Sequence, residues 1–121
     1  MEGLLPPESC ERRLMMKEGD SGPEGNCKTF IFHNESHTLG NTLRTMLLHN
    51  PQVTFAGYTI PHPSEDIMHL RVQTIEGYLP QAALCQAFVD LKSMVTLTKS
   101  KFQDAFDEYD SKKSDTKLNK L

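Results

Sequence analysis

The stretch His33-Asn34-Glu35-Ser36-His37-Thr38-Leu39-Gly40-Asn41-Thr42-Leu43-Arg44 marks the place where the chain leaves a strand and enters a helix. Before it, Lys28-Thr29-Phe30-Ile31-Phe32-His33 alternates, with Phe30 and Phe32 on one side and Thr29, Ile31 and His33 on the other. That period of two is the signature of a strand. After it, Leu39, Leu43, Met46 and Leu47 recur at the spacings that mark one face of a helix. Ser36 or Thr38 is suited to cap the start, because a short hydroxyl side chain accepts from the free amides of the first turn. Asn50-Pro51 ends the helix, since the residue before proline avoids helical angles and proline has no amide to donate. The helix is therefore expected over about His37–His49. Gly40 stands out within it, because an interior glycine costs roughly 1 kcal/mol relative to alanine. Two readings account for it: tight packing inside one domain, or the close approach of a second subunit.

Working outward, Gln52 to Ile60 reads as a strand with Val53, Phe55 and Gly57 on one side and Thr54, Ala56, Tyr58 and Ile60 on the other. Both sides are fairly apolar, which suits a central strand. Pro61-His62-Pro63-Ser64 is a connection, because two prolines do not sit inside a sheet. Asp66 to Thr74 alternates most clearly: Met68, Leu70 and Val72 point to a core, and His69, Arg71 and Gln73 point away. Glu76-Gly77-Tyr78 turns the chain, and Pro80 suits the first residue of a helix. Upstream, Cys10 to Lys17 is expected as a charged edge strand, followed by a turn-rich loop over 18–25.

A last helix is expected from Pro80 to about Asp110, with no internal glycine or proline. Leu84, Phe88, Leu91, Val95, Thr98, Phe102, Ala105 and Tyr109 recur in steps of four and three, the seam of helices that pack along one another. At 1.5 Å per residue such a helix is about 45 Å long, more than the roughly 35 Å breadth of a compact domain of this size. Its distal half is expected to extend past its own sheet and to need a cover. Burial of each large seam side chain is worth roughly 1.5–3 kcal/mol, against about 4–15 kcal/mol lost on association. The seam alone barely offsets that, so the helix carrying Leu39, Leu43 and Leu47 is expected to join the interface. On this reading Leu43→Asp or Leu91→Asp releases the partner.

The order of elements predicts an α+β fold: a two-layer ββαββα sandwich with an antiparallel sheet and a long C-terminal helix. The expected organisation is a flexible end over 1–9, one domain over 10–110 and a basic flexible tail over 111–121. The chain has 121 residues, 37% of them hydrophobic, and a net charge of −3. Nucleic-acid binding through phosphates normally requires a basic excess that is missing here. No run approaches the roughly 20 apolar residues of a membrane span, and Met1 to Ser9 lacks the basic head of a secretory signal. Cys10, Cys27 and Cys85 are an odd number with no close pair, which fits reduced thiols better than a disulfide framework. Cys85, beside the seam, reads as packing. His33 and His37 are separated by the strand-to-helix junction and so do not share a helix face as metal ligands would; His37 is expected to hydrogen-bond near the helix start or to a partner. No phosphate-binding loop or nucleophile elbow occurs, and Glu65 and Asp66 diverge as strand neighbours. No catalytic residue, cofactor or metal is expected. Asp104, Asp107, Glu108 and Asp110 form an acidic face.

His37-Thr38-Leu39-Gly40-Asn41 resembles the signature of the small alpha-like subunits of multisubunit RNA polymerases, relatives of the dimerising domain of the bacterial alpha subunit. The resemblance continues through Asn50-Pro51-Gln52-Val53-Thr54-Phe55-Ala56-Gly57-Tyr58-Thr59, His62-Pro63-Ser64-Glu65 and Leu70-Arg71-Val72-Gln73-Thr74 to the turn at Gly77–Pro80, over roughly residues 27–110. Ser36 departs from it, standing where many relatives carry an acidic residue. The wording of Gly57-Tyr58-Thr59 and His62-Pro63-Ser64-Glu65 is closer to members shared by RNA polymerases I and III than to the polymerase II counterpart. The resemblance implies the same fold and a non-catalytic role. It implies an obligate heterodimer with the larger alpha-like subunit, as a platform for the two large catalytic subunits, in the nucleus and nucleolus. Direct sequence-specific nucleic-acid contact and a membrane are not implied. The partner interface expected on this basis comprises His37, Thr38, Leu39, Gly40, Asn41, Leu43, Arg44 and Leu47 on the first helix, with Leu84, Phe88, Leu91, Val95 and Phe102 on the second. The alternative is a small homodimeric structural or ligand-binding domain on a similar sandwich.

Overall fold

In a computed structural model the backbone is described for residues 14–16 and 25–119. The elements run β1 (Leu14–Met16), β2 (Cys27–His33), α1 (His37–Leu48), β3 (Val53–Thr59), β4 (Ile67–Thr74) and α2 (Pro80–Asn119). The four strands form one antiparallel sheet in the order β1-β2-β4-β3. The expected ββαββα order and antiparallel sheet are therefore present. The flexible end expected over 1–9 and most of the loop over 18–25 lie outside the described residues. Of the expected first strand, Leu14–Met16 is described and does lie at an edge, paired with Phe30–Phe32.

The core lies on one face of the sheet. Phe30 and Phe32 of β2 stand opposite Leu70 and Met68 of β4, and all four are buried, as is Val72. Alternation alone brings this about: a strand puts every second side chain on the same face. Thr74 ends the row fully enclosed; its hydroxyl donates to the Tyr78 carbonyl and tethers the turn that leads into α2. The left-handed backbone of that turn is taken by Gly77, at φ +83°. Its counterpart between β2 and α1 is Asn34 at φ 59°, whose amide donates to the Asp66 carbonyl at 2.7 Å. Asparagine tolerates this region better than most residues.

Two expectations about β3 are corrected. It is an edge strand, not a central one. Its two sides also change phase, because a bulge lies between Val53, opposite Thr74, and Phe55, opposite Gln73. The extra residue, Thr54, puts Val53 on the core face with Ala56 and Tyr58, while Phe55 and Gly57 face outward. Gly57 leaves room for the Phe55 ring, since an added Cβ there would lie 3.0 Å from Phe55 Cζ.

The boundary of α2 also differs. Pro80 is its first residue, as its missing amide allows, but the helix runs to Asn119 rather than to Asp110. Backbone from 111 to 119 is helical, so the tail expected from residue 111 is an extension of the helix. The polar run there has no glycine or proline to stop it, and Lys112 Nζ meets Glu108 Oε1 at 2.9 Å one turn back. The chain divides into two compact units, Met1–Phe88 and Val89–Leu121. The first holds the sheet, α1 and the start of α2; the second is the rest of α2.

Candidate partner interface

In the first unit, α1 turns Gly40, Leu43, Met46 and Leu47 inward. Leu43 and Leu47 are fully enclosed by the chain's own fold. Their spacing is that of a buried helix face, but the surface that covers them is their own sheet. Their expected place in the interface is corrected: neither side chain has area left to give a partner. What α1 presents outward is polar, in His37, Thr38, Asn41 and Arg44, with Leu39 half-buried and Leu48 exposed at the C-terminal end.

Gly40 is settled by Tyr58. A Cβ on Gly40 would lie 2.6 Å from Cδ2 and 2.9 Å from Cγ of that ring, closer than real contacts allow. The ring cannot swing aside freely: His37 Nδ1 lies 3.0 Å from its hydroxyl, and the two rings meet edge-on with centroids 5.6 Å apart. Of the two readings of Gly40, tight packing inside one domain is the one observed, and its expected place at the partner surface is corrected, since it is buried against the Tyr58 ring. The His-Thr-Leu-Gly-Asn run thus clamps α1 onto β3 through one tyrosine. Ser36 occupies the N-cap position but makes no side-chain capping bond.

Gly40→Ala is expected to destabilise the first unit by about 1–2 kcal/mol, the cost of overpacking partly offset by better helix propensity. In a Tyr58→Ala background the same change becomes neutral or favourable. Thermal melting of the four proteins of this cycle measures the coupling; a Gly40→Ala effect of equal size in both backgrounds contradicts the clamp.

The start of α2 belongs to the same unit. Ala83, Leu84 and Ala87 are buried, and Phe88 is partly covered by Phe32, ring centroids 6.4 Å apart. Leu84 is therefore also a core residue, while Phe88 keeps 38% of its surface exposed. Cys85, expected to be packed, is exposed; among the described residues Cys27 is the buried thiol.

In the second unit Leu91 is half-buried and the seam then lies open. Val95 is 58% exposed, Phe102 69% and Tyr109 63%. Met94, Leu97 and Phe106 are also exposed, and they were missed by a strict heptad reading. Met94 follows Leu91 by three and Phe106 follows Phe102 by four, so helical spacing held the signal for both. Phe102 and Phe106 stack with centroids 6.4 Å apart. Monomeric proteins rarely leave so continuous an apolar strip in water. The carboxylates Asp104, Asp107, Glu108 and Asp110 are exposed.

Among the described residues no group of three or more His, Cys, Asp or Glu side chains is placed to hold a metal, and no helix is long and apolar enough to cross a membrane. A hollow of about 320 Å³ is lined by Glu35, Ser36, His37, Ile60, Pro63, Glu65 and Asp66.

The first unit is thus a four-stranded antiparallel sheet with α1 on one face, and the second is helix with an exposed apolar strip. The chain belongs to the family of the RNA polymerase Rpb3/Rpb11 dimerisation domain, whose model matches residues 27–101. Over 83 residues it is 45% identical to the DNA-directed RNA polymerases I and III subunit rpc19 of Dictyostelium discoideum, a match covering 69% of this chain and 72% of that one. Over 81 residues it is 40% identical to the RNA polymerases I and III subunit RPAC2 of Saccharomyces cerevisiae, covering 67% of this chain and 57% of the yeast protein. The Drosophila melanogaster subunit of that name is 50% identical over 56 residues, covering 46% of this chain and 53% of that protein. Among solved structures, subunit L of the RNA polymerase of Thermoplasma acidophilum superposes with a TM-score of 0.64 at 30% identity, covering 81% of this chain and 92% of that one. The resemblance read from the His37–Asn41 signature is borne out. The family match ends one residue before Phe102, so Phe102, Phe106 and Tyr109 lie beyond it.

Proposed function

We propose that this chain is a non-catalytic assembly subunit of DNA-directed RNA polymerases I and III. It pairs with the larger alpha-like subunit, and the pair forms the platform on which the two large catalytic subunits assemble for transcription of rRNA, 5S rRNA and tRNA. The observation that carries the reading is the uncovered strip of α2, with Val95 and Phe102 more than half exposed in a chain whose family is a dimerisation domain. The names of the relatives support the choice of polymerases I and III. The dimerisation domain is placed over 10–110, with the interface formed by His37, Thr38, Leu39, Asn41 and Arg44 on α1 and by Phe88, Leu91, Val95 and Phe102 on α2. Because the apolar face of α1 is already used, α1 contributes polar contacts that set register, and α2 contributes the apolar area. Each of its exposed large side chains is worth roughly 1–2 kcal/mol on burial. The role carries nuclear localisation with a nucleolar share.

Affinity purification of the tagged chain, with mass identification of its companions, tests the reading. The expected companions are the larger alpha-like subunit and the large subunits of both polymerases. Recovery of polymerase II subunits alone, or of nothing but further copies of this chain, overturns it.

A further inference from the structure

Two lysines stand beside the apolar strip of α2 without a counter-charge. Lys92 follows Leu91 and Lys99 follows Thr98, so one heptad separates them and both lie on the same flank of the strip. Both are exposed. On a helix the available side-chain partners lie three and four residues away. For Lys92 these are Phe88, Val89, Val95 and Thr96. For Lys99 they are Val95, Thr96, Phe102 and Gln103, again with no carboxylate. Neither lysine makes an ion pair among the described residues, whereas Lys112 meets Glu108 at 2.9 Å. The Asp107 carboxylate is engaged elsewhere, accepting from Gln103 Nε2 at 3.0 Å.

The strip itself offers two positions per heptad, the width that one helix covers. Thr98 interrupts it, but its hydroxyl donates to the Met94 carbonyl at 2.8 Å, so an apolar cover leaves that group satisfied. A second copy of this chain does not supply what the lysines lack. In an antiparallel pair of helices each flank faces its own counterpart, which sets lysine against lysine. In a parallel pair Lys92 and Lys99 face positions five residues earlier in the other copy, Ala87 and Met94. Neither arrangement brings a carboxylate, and like charges placed opposite one another disfavour association.

We propose that the occupant of the strip is one helix of a different protein chain, lying along α2 with Asp or Glu residues on the flank that faces Lys92 and Lys99. This rests on the reading above, in which the strip is the partner surface; the lysines decide which helix fits it. The apolar side chains supply the binding area, and the charge pairs at the rim fix the partner's register and turn away further copies of this chain.

Zero-length cross-linking tests this on the assembly isolated through a tag on the chain. A carbodiimide joins an amine to a carboxyl group in contact with it as an amide, and takes up the water lost as it becomes a urea. Mass identification of the linked peptides is expected to find Lys92 and Lys99 joined to Asp or Glu of one helix of a different chain. Both lysines unlinked, or linked only to carboxylates of this chain, overturns the proposal. The polymerase assignment survives that result if polymerase subunits are present; an assembly of copies alone overturns both. Charge reversal adds a second arm. Lys92→Glu with Lys99→Glu is expected to leave the melting transition unchanged, because both side chains are exposed, and to weaken binding of the companion at least tenfold. Lys92→Gln with Lys99→Gln binds at an intermediate strength and loses most of the salt dependence of the parent. If the double glutamate variant binds like the parent while Val95→Glu with Phe102→Glu does not, the strip remains the partner surface and the acidic flank is refuted.

Discussion

Leu43→Asp is expected to leave no folded first unit. The leucine side chain is completely enclosed between α1 and the sheet, and a carboxylate placed there loses its hydration and gains no partner. The penalty is the lost burial plus that desolvation, above about 4 kcal/mol, against a total stability of roughly 5–15 kcal/mol. Leu43→Ala, which only opens a cavity, is expected to cost about 2–5 kcal/mol and to keep the fold. Far-ultraviolet circular dichroism against temperature measures both. The sequence alone suggests that Leu43→Asp releases the partner; the structure adds that the same position supports the domain itself. A Leu43→Asp protein that melts like the parent contradicts the placement of α1.

The second large effect has the opposite character. Val95→Glu and Phe102→Glu together are expected to leave the melting transition within about 0.5 kcal/mol of the parent, because both side chains are mostly exposed and glutamate is a good helix former. If the strip is the partner surface, each change buries a charge among apolar groups and costs roughly 2 kcal/mol or more of association. The pair then weakens binding by at least about 100-fold, since every 1.4 kcal/mol is tenfold. Quantitative co-purification of the larger alpha-like subunit reads the loss, with the exposed Lys112→Ala as the control expected to bind normally. Full retention of the companion by the double variant removes α2 from the interface.

The periodicities carried most of the fold. Phe30, Phe32, Met68, Leu70 and Val72 were legible as core because alternation in a strand leaves one choice of face once a neighbour is apolar. Pro80 was legible as a helix start because few other places accept it. What escaped depends on relations between distant residues. The bulge at Thr54 has no local mark, and it moved Val53 to the other face. The edge position of β3 is a matter of strand order, which its own composition does not encode. Leu43 and Leu47 illustrate the limit for the site: spacing identifies a helix face that is covered, but not whether the cover is the chain's own sheet or a second chain. Gly40 signalled a close approach without naming Tyr58, eighteen residues on. The strip on α2 was readable because Val95, Phe102 and Tyr109 stay in phase with Leu84, Phe88 and Leu91 along a helix with no internal glycine or proline. Its end was misplaced because a polar run such as 111–119 looks alike as tail and as exposed helix.

Sedimentation velocity of the chain, alone and coexpressed with the larger alpha-like subunit, bears most directly on whether a second, different chain completes α2. The predicted result is aggregation or heterogeneous self-association of the chain alone at micromolar concentration, replaced by a single one-to-one species on coexpression. A stably folded, monodisperse monomer that stays unchanged when the second chain is present would contradict it.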